Sequence, residues 1–172
     1  AGLVTLLVWL PVLESGFVWD DFGVVLGKRS VQELDWVAMA RLGLWEDVAA
    51  FSGSTPYYRP LVALSFGLDH ALTGGAAWFA HAHSLAWNLT NVGLVAWLLR
   101  KSGGVVAVGV ASLVGLHPSL VEATAFAAAR NDLMVTTFSL LALIAAQRKM
   151  WFTVALCALL AMASKETGII LP

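Results

Sequence analysis

The sequence alternates long apolar runs with short polar connectors, and this rhythm restricts what the chain can fold into. Five runs, roughly 1–13, 76–99, 103–118, 124–146 and 150–171, carry few charged side chains. A helix needs about 20 apolar residues to cross the hydrocarbon core of a bilayer. With 59% hydrophobic and 12% charged residues, the chain lacks the polar surface of a soluble domain, where about a quarter of residues are charged. The pattern predicts an all-α polytopic membrane bundle. It would have about five transmembrane helices at those positions, counting runs that borrow flanking residues. An outer region, 14–75, would hold juxtamembrane helices. A net charge of −1 offers no basic surface for nucleic acid. The lone Cys157 excludes an internal disulfide and reads as a small packing residue. The first run opens at Ala1 without a basic flank or a small-residue cleavage site, which argues against a signal peptide. The ending "GIILP" reads as the start of something rather than an end, so a processed, trimmed or fragmentary chain is expected.

Two connectors are purely basic, "RKSGG" (Arg100, Lys101) and "QRK" (Arg148, Lys149). Short basic loops stay on the cytoplasmic side. The stretch 14–59, the segment "HPSLVEATAFAAARND" and the final "SKETG" then share the outer face, periplasmic in a bacterial inner membrane. Within the outer stretch, "SVQE" (Ser30 to Glu33) has the spacing of a capping box. Val31, Leu34, Ala38, Trp45 and Val48 recur at helical intervals, predicting one or two helices on the membrane surface. Pro60 to Leu72 is too short for a clear span and is expected to insert halfway from the outer side. His81, Ser84, Asn88 and Asn91 fall on one helical face. That stripe should avoid lipid, either bonding neighbouring helices or lining a watery cavity.

The unusual polar residues converge on the outer face. "FVWDDFG" holds Asp20 and Asp21. Either carboxylate could accept a proton from an attacking hydroxyl, and adjacent side chains diverge, so one of the two should reach a substrate. Arg59 follows Tyr57 and Tyr58, and a guanidinium suits a phosphate through paired hydrogen bonds. Its bland alternatives are a lipid headgroup anchor or a partner for a loop acid. His117, Glu122, Arg130, Asp132, Lys165 and Glu166 complete the candidate set with Tyr58 and Arg59. Glu122, Phe126 and Arg130 follow four-residue steps, and an ion network joining helix ends would equally explain these charges. A divalent metal on Asp20, Asp21, His117 and Glu122 is an alternative that no helical ligand spacing supports.

Taken in order, "FVWDDF" (17–22), "YYRPLVALSF" (57–66), "HAHSLAWNLTNVGLVAWLLR" (81–100), "HPSLVEATAFAAARNDLM" (117–134) and "SKETGIILP" (164–172) resemble the GT-C membrane glycosyltransferases. Within them the likeness is to bacterial relatives of the tetratricopeptide-containing protein O-mannosyltransferases. The resemblance implies a polyprenyl-phosphate sugar donor in membrane lipid and an acceptor approached from the outer face. It implies that Asp20 or Asp21 is the catalytic base and that Arg59 holds the lipid phosphate; no cofactor is expected. "HPSLVEA" lacks a His-Thr pair of eukaryotic relatives, and "AARND" replaces their Gly-Arg-x-Asp, so sugar and acceptor stay open. The competing expectation is a non-catalytic, truncated GT-C-like membrane subunit that packs against other membrane subunits. Its eight tryptophans would serve lipid boundaries and interfaces. A transporter is disfavoured, because the charges cluster at one mouth rather than at the midplane.

Overall fold

Helix boundaries follow local chemistry. The computed structural model describes residues 1–49 and 57–170. In order the elements are α1 (Gly2–Trp9) with a 3-10 turn (Leu10–Glu14), a π-helical turn (Phe22–Gly27), α2 (Arg29–Gln32), α3 (Trp36–Arg41), α4 (Pro60–Thr73), α5 (Ala77–Leu98), α6 (Gly104–Gly115) and α7 (Leu120–Ala125). A 3-10 turn (Ala127–Ala129) then leads into α8 (Arg130–Gln147), and α9 (Trp151–Ser164) ends in another (Glu166–Ile170). Pro60 opens α4, where its missing N–H costs nothing. Gly74 closes α4 at φ +68°, the left-handed cap that glycine takes without strain.

The expectation of about five membrane spans is not met. Among the described residues, one helix is long and apolar enough to cross a bilayer, Ala127–Gln147 with 21 residues. α5 has the length, at 22 residues, but its His and Asn stripe lowers its apolarity. The other three predicted spans are cut short. Pro11 turns the first run into a 3-10 coil after Trp9. α6 stops at Gly115, before His117-Pro118, after 12 residues, about 18 Å of helix. α9 stops at Ser164 after 14 residues, because "SKETG" ends the apolar pattern. The final Leu171 of the fifth predicted span, and Pro172, lie outside the described residues.

α5 is the axis of the fold, packing against α1, α6, α7 and α8, while α8 pairs with α9. Close approach is possible where side chains are small. A Cβ on Gly115 would stand 2.4 Å from Val92 and 2.7 Å from the Thr5 hydroxyl, and Trp9 Nε1 donates to the Gly115 carbonyl at 2.9 Å. The region between α1 and α4 packs onto α4. Val24, Val25, Val31, Met39 and Leu44 join Val62, Ala63 and Phe66 of α4 in one buried cluster. Buried Lys28 locks this region, donating to Gly43 O (3.0 Å), Glu46 O (2.7 Å) and Asp47 Oδ1 (2.5 Å). The expected capping box does not form. Ser30 lies inside α2 and its N–H goes to Asp47 Oδ2 at 2.7 Å, whereas Asp35 caps α3 through Ala38 N at 2.9 Å.

The polar stripe of α5 is interhelical glue. His81, Ser84, Asn88 and Asn91 are all buried. Asn88 donates to Thr124 (3.2 Å), and Asn91 donates to Leu133 O (3.0 Å) and accepts from Thr137 (2.7 Å). Ser84 accepts from Arg130 Nε at 3.2 Å. Arg130 is wholly buried and spends its other donors on Ser65 (3.0 Å) and Ala80 O (2.8 Å). Its Nη2 sits 2.6 Å from Asp69 Oδ2, a contact of opposite charges rather than an aligned hydrogen bond. Asp69 Oδ1 meets His83 Nδ1 at 2.6 Å. Removing one partner from such a pair costs about 3–5 kcal/mol, because the other charge stays buried. Arg130→Met should therefore lower the thermal unfolding midpoint strongly, and Arg130→Met with Asp69→Leu should recover most of that loss. Equal loss in both variants would show that the ion pair is not what the fold depends on.

Candidate functional site

The two aspartates of "FVWDDFG" do different things. A tight turn closes between Asp21 N and Val18 O (2.9 Å), and Val18 N returns a bond to Asp21 Oδ2 (3.1 Å). Asp21 Oδ1 accepts from Ala128 N at 2.7 Å, pinning the turn to the segment ahead of α8. Burial pushes the Asp21 carboxyl above the usual carboxylate range, opposed by these N–H donors and by nearby His81. With Asp21 turned inward, Asp20 is turned outward and exposed. Trp19 between them and Val18 holds φ +44°, a left-handed conformation costing a bulky residue on the order of 1 kcal/mol.

Asp20 faces a cavity of about 190 Å³ whose other polar walls are Arg59, Glu122, Asn131, Asp132 and Lys165. Arg59, at the start of α4, makes a forked pair with Glu166, Nε to Oε2 at 3.0 Å and Nη2 to Oε1 at 2.6 Å. With its amide oriented to satisfy both ends, Asn131 accepts from Arg59 Nη1 at 3.1 Å and donates to the Ala128 and Ala129 carbonyls. The guanidinium also lies over the Tyr57 ring, 4.9 Å from its centroid. Lys165 pairs with Asp132, joining the end of α9 to the start of α8. The hydrogen bond from Arg59 holds the Glu166 carboxyl below its ordinary value. A second, larger hollow of about 680 Å³, lined by Trp19, Val121 and Pro118, meets the first at Asp20, Glu122 and Phe126.

Five candidate residues, Asp20, Arg59, Glu122, Asp132 and Lys165, thus share one cavity, with Glu166 at its rim through Arg59. Asp21 stands behind it. Three others lie elsewhere. Tyr58 is exposed and its hydroxyl donates to Ala40 O at 2.7 Å, tethering it to α3. His117 lines a separate apolar hollow against α6 and bonds Ser119 at 2.6 Å. Arg130 is inside the bundle. The four-residue rhythm from Glu122 to Arg130 does not run along one helix: Phe126 is extended at φ −108°, ψ 110°, which leaves Glu122 at the cavity and turns Arg130 inward. Asn131 joins Arg59 without a signal of its own, being one polar letter within "ARND". Among the described residues, no three His, Cys, Asp or Glu side chains gather as a metal-ligand set.

The cavity thus gathers two cations, each paired with an acid, beside the carboxylates of Asp20 and Glu122. No family model matches the chain, and no solved structure does. The chain is 33% identical, over 95% of its length, to the protein O-mannosyl-transferase Tmtc1 of Drosophila melanogaster. It is 29% identical over 95% to TMTC2 of Mus musculus and 32% identical over 84% to Tmtc2 of Drosophila melanogaster. The chain spans only 20%, 21% and 16% of those proteins' own lengths. These relatives are animal proteins, so the likeness is not particular to bacterial members. Across nearly all its length the chain is a remote homologue of a segment of the protein O-mannosyl-transferases, which supports a GT-C-like, membrane-associated character.

Proposed function

We propose that the chain carries part of a sugar-transfer site at an outer membrane face, using a polyprenyl-phosphate sugar as donor and a protein hydroxyl as acceptor. What supports the reading is one juxtaposition: Asp20 faces Arg59 and Lys165 across the same small cavity. The acceptor oxygen attacks the anomeric carbon and the bond from that carbon to the phosphate oxygen breaks, with inversion. Asp20 takes the acceptor's proton. The departing lipid phosphate takes its negative charge onto Arg59 and Lys165, where preorganised cations stabilise it without reorganisation. Asp21 is a positioning residue, holding the turn that aims Asp20. Mannose is the sugar named for the relatives, and the sugar transferred here is proposed to match. The bacterial inner membrane and a periplasmic face remain part of this proposal rather than of the comparison.

A second reading, a non-catalytic subunit within a membrane complex, is favoured by two observations. Both cations are already paired with acids. Apolar side chains stand exposed along α1, α6 and α9, among them Leu7, Leu113 and Leu159. Transfer from polyprenyl-phosphate mannose, assayed in membranes of expressing cells, separates the two. Asp20→Asn should lower kcat by about 10²–10⁴, the usual contribution of a general base. Asp21→Asn should lower it less while reducing the unfolding midpoint. Full turnover in Asp20→Asn would leave the subunit reading.

Glu166 supplies the pH test. Its folded pKa lies below its unfolded one, so the stability from the Arg59 pair is present above the unfolded value and lost as pH falls through the folded one. The gap in unfolding midpoint between the native chain and Glu166→Gln should be largest near neutral pH and close in acid. Because Glu166 is half exposed, the pair is worth only about 0.2–1 kcal/mol. Freeing Arg59 by Glu166→Gln should then lower the donor KM by no more than about fivefold; a raised KM would mean that Glu166 helps to hold the donor.

A further inference from the structure

The end of the bundle away from the charged cavity, roughly 24 Å along α8 from Asp132, carries an arrangement that sugar transfer does not use. Arg100, after α5, and Arg148, after α8, both lie over the ring of Trp97, their guanidinium carbons 3.6 and 4.8 Å from its centroid. Arg100 also donates to the Trp97 carbonyl at 2.7 Å. Lys101 and Lys149 follow them in sequence, and all four cations are exposed. The sequence holds no acid from Asn91 to Val121 or from Leu133 to Lys165. None of the four cations has an ion-pair partner among the described residues.

A cation at a helix C-terminus is ordinary, because it offsets the exposed carbonyls. The indole face attracts each guanidinium, which gathers two like charges on one ring with no acid nearby in sequence to balance them. An anion bound at this rim would offset their mutual repulsion. The residues that follow each basic pair say what kind of anion: Val105, Trp151 and Phe152 are 89%, 68% and 83% exposed. Aromatic and apolar side chains beside cations suit the boundary between headgroups and acyl chains. A free phosphate would use only the charges. We propose that this rim binds the headgroup of an anionic phospholipid, with the guanidiniums of Arg100 and Arg148 on its phosphate and Trp151 and Phe152 against its acyl chains.

The test titrates the purified chain, in mild detergent, with short-chain phosphatidylglycerol, with phosphatidylcholine of equal chain length and with inorganic phosphate, reading bound species by native mass spectrometry. Phosphatidylglycerol should bind more tightly than phosphatidylcholine. Arg100→Gln with Arg148→Gln should weaken phosphatidylglycerol by about thirtyfold, two cations at roughly 1 kcal/mol each, and leave phosphatidylcholine unchanged. Lys101→Gln with Lys149→Gln, which removes no hydrogen bond, should weaken it in the same direction and guards against a folding defect in the first variant. Arg29→Gln with Arg41→Gln, exposed cations elsewhere, should change it less than about twofold. Equal binding of the two lipids, or equal loss in the Arg29 and Arg41 variant, would overturn the proposal. So would displacement of phosphatidylglycerol by inorganic phosphate at matching concentration.

Discussion

Arg130 is where the interior of this protein is decided. A guanidinium cannot shed its charge, so a buried one must be surrounded by acceptors or excluded from the fold. Here it reaches Ser65 and Asp69 of α4, Ala80 and Ser84 of α5, and leads α8. Three helices are thereby fixed in rotation as well as in distance. Its ring contact with Phe66, 4.8 Å from the centroid, ties the same point to the apolar cluster beneath the outer region. Turning Arg130 inward also sets its neighbours. Asn131 and Asp132, one and two positions on, face Arg59 and Lys165, so the polarity of the cavity wall is a by-product of how the core is satisfied.

The cavity obeys the same rule at lower stakes. Its cations are matched one to one with acids, Arg59 with Glu166 and Lys165 with Asp132. Asp20 and Glu122 face the same space. Two matched pairs beside two further carboxylates leave the cavity with more acids than bases. Asp21, which the sequence presents as the twin of Asp20, differs by turning inward onto two backbone donors, Val18 N and Ala128 N.

Much of this was legible beforehand, and the remainder has a physical reason for being hidden. The α5 stripe follows from spacing alone, because lipid penalises a polar face and a neighbouring helix does not. Charge at the margins of apolar runs stands out in the sequence, and five of the residues picked that way, Asp20, Arg59, Glu122, Asp132 and Lys165, line one cavity. The number of membrane spans was not. Apolar composition counts residues, whereas a span needs unbroken helix, and Pro11, His117-Pro118 and "SKETG" break three of the runs. Pairing was not legible either. Nothing in the letters "ARND" says that Arg130 faces inward and Asp132 outward, because that depends on the extended backbone at Phe126. The false capping box has the same origin: Asp47, 17 residues from Ser30, competes for its N–H and wins.

Three ties across the chain share nearly one sequence separation. Trp9 meets Gly115, Asp21 meets Ala128 and Arg59 meets Glu166, spanning 106, 107 and 107 residues. Closing one such loop costs about 4 kcal/mol of chain entropy. Once Trp9 meets Gly115, the tie from Asp21 to Ala128 has a much shorter loop left to close and costs about 3 kcal/mol. During synthesis, Asp21 and Arg59 emerge long before the residues that will hold them, so the first third of the chain waits with its key charges unmatched. The cavity can therefore be completed only after Glu166, its last partner in sequence, has been made.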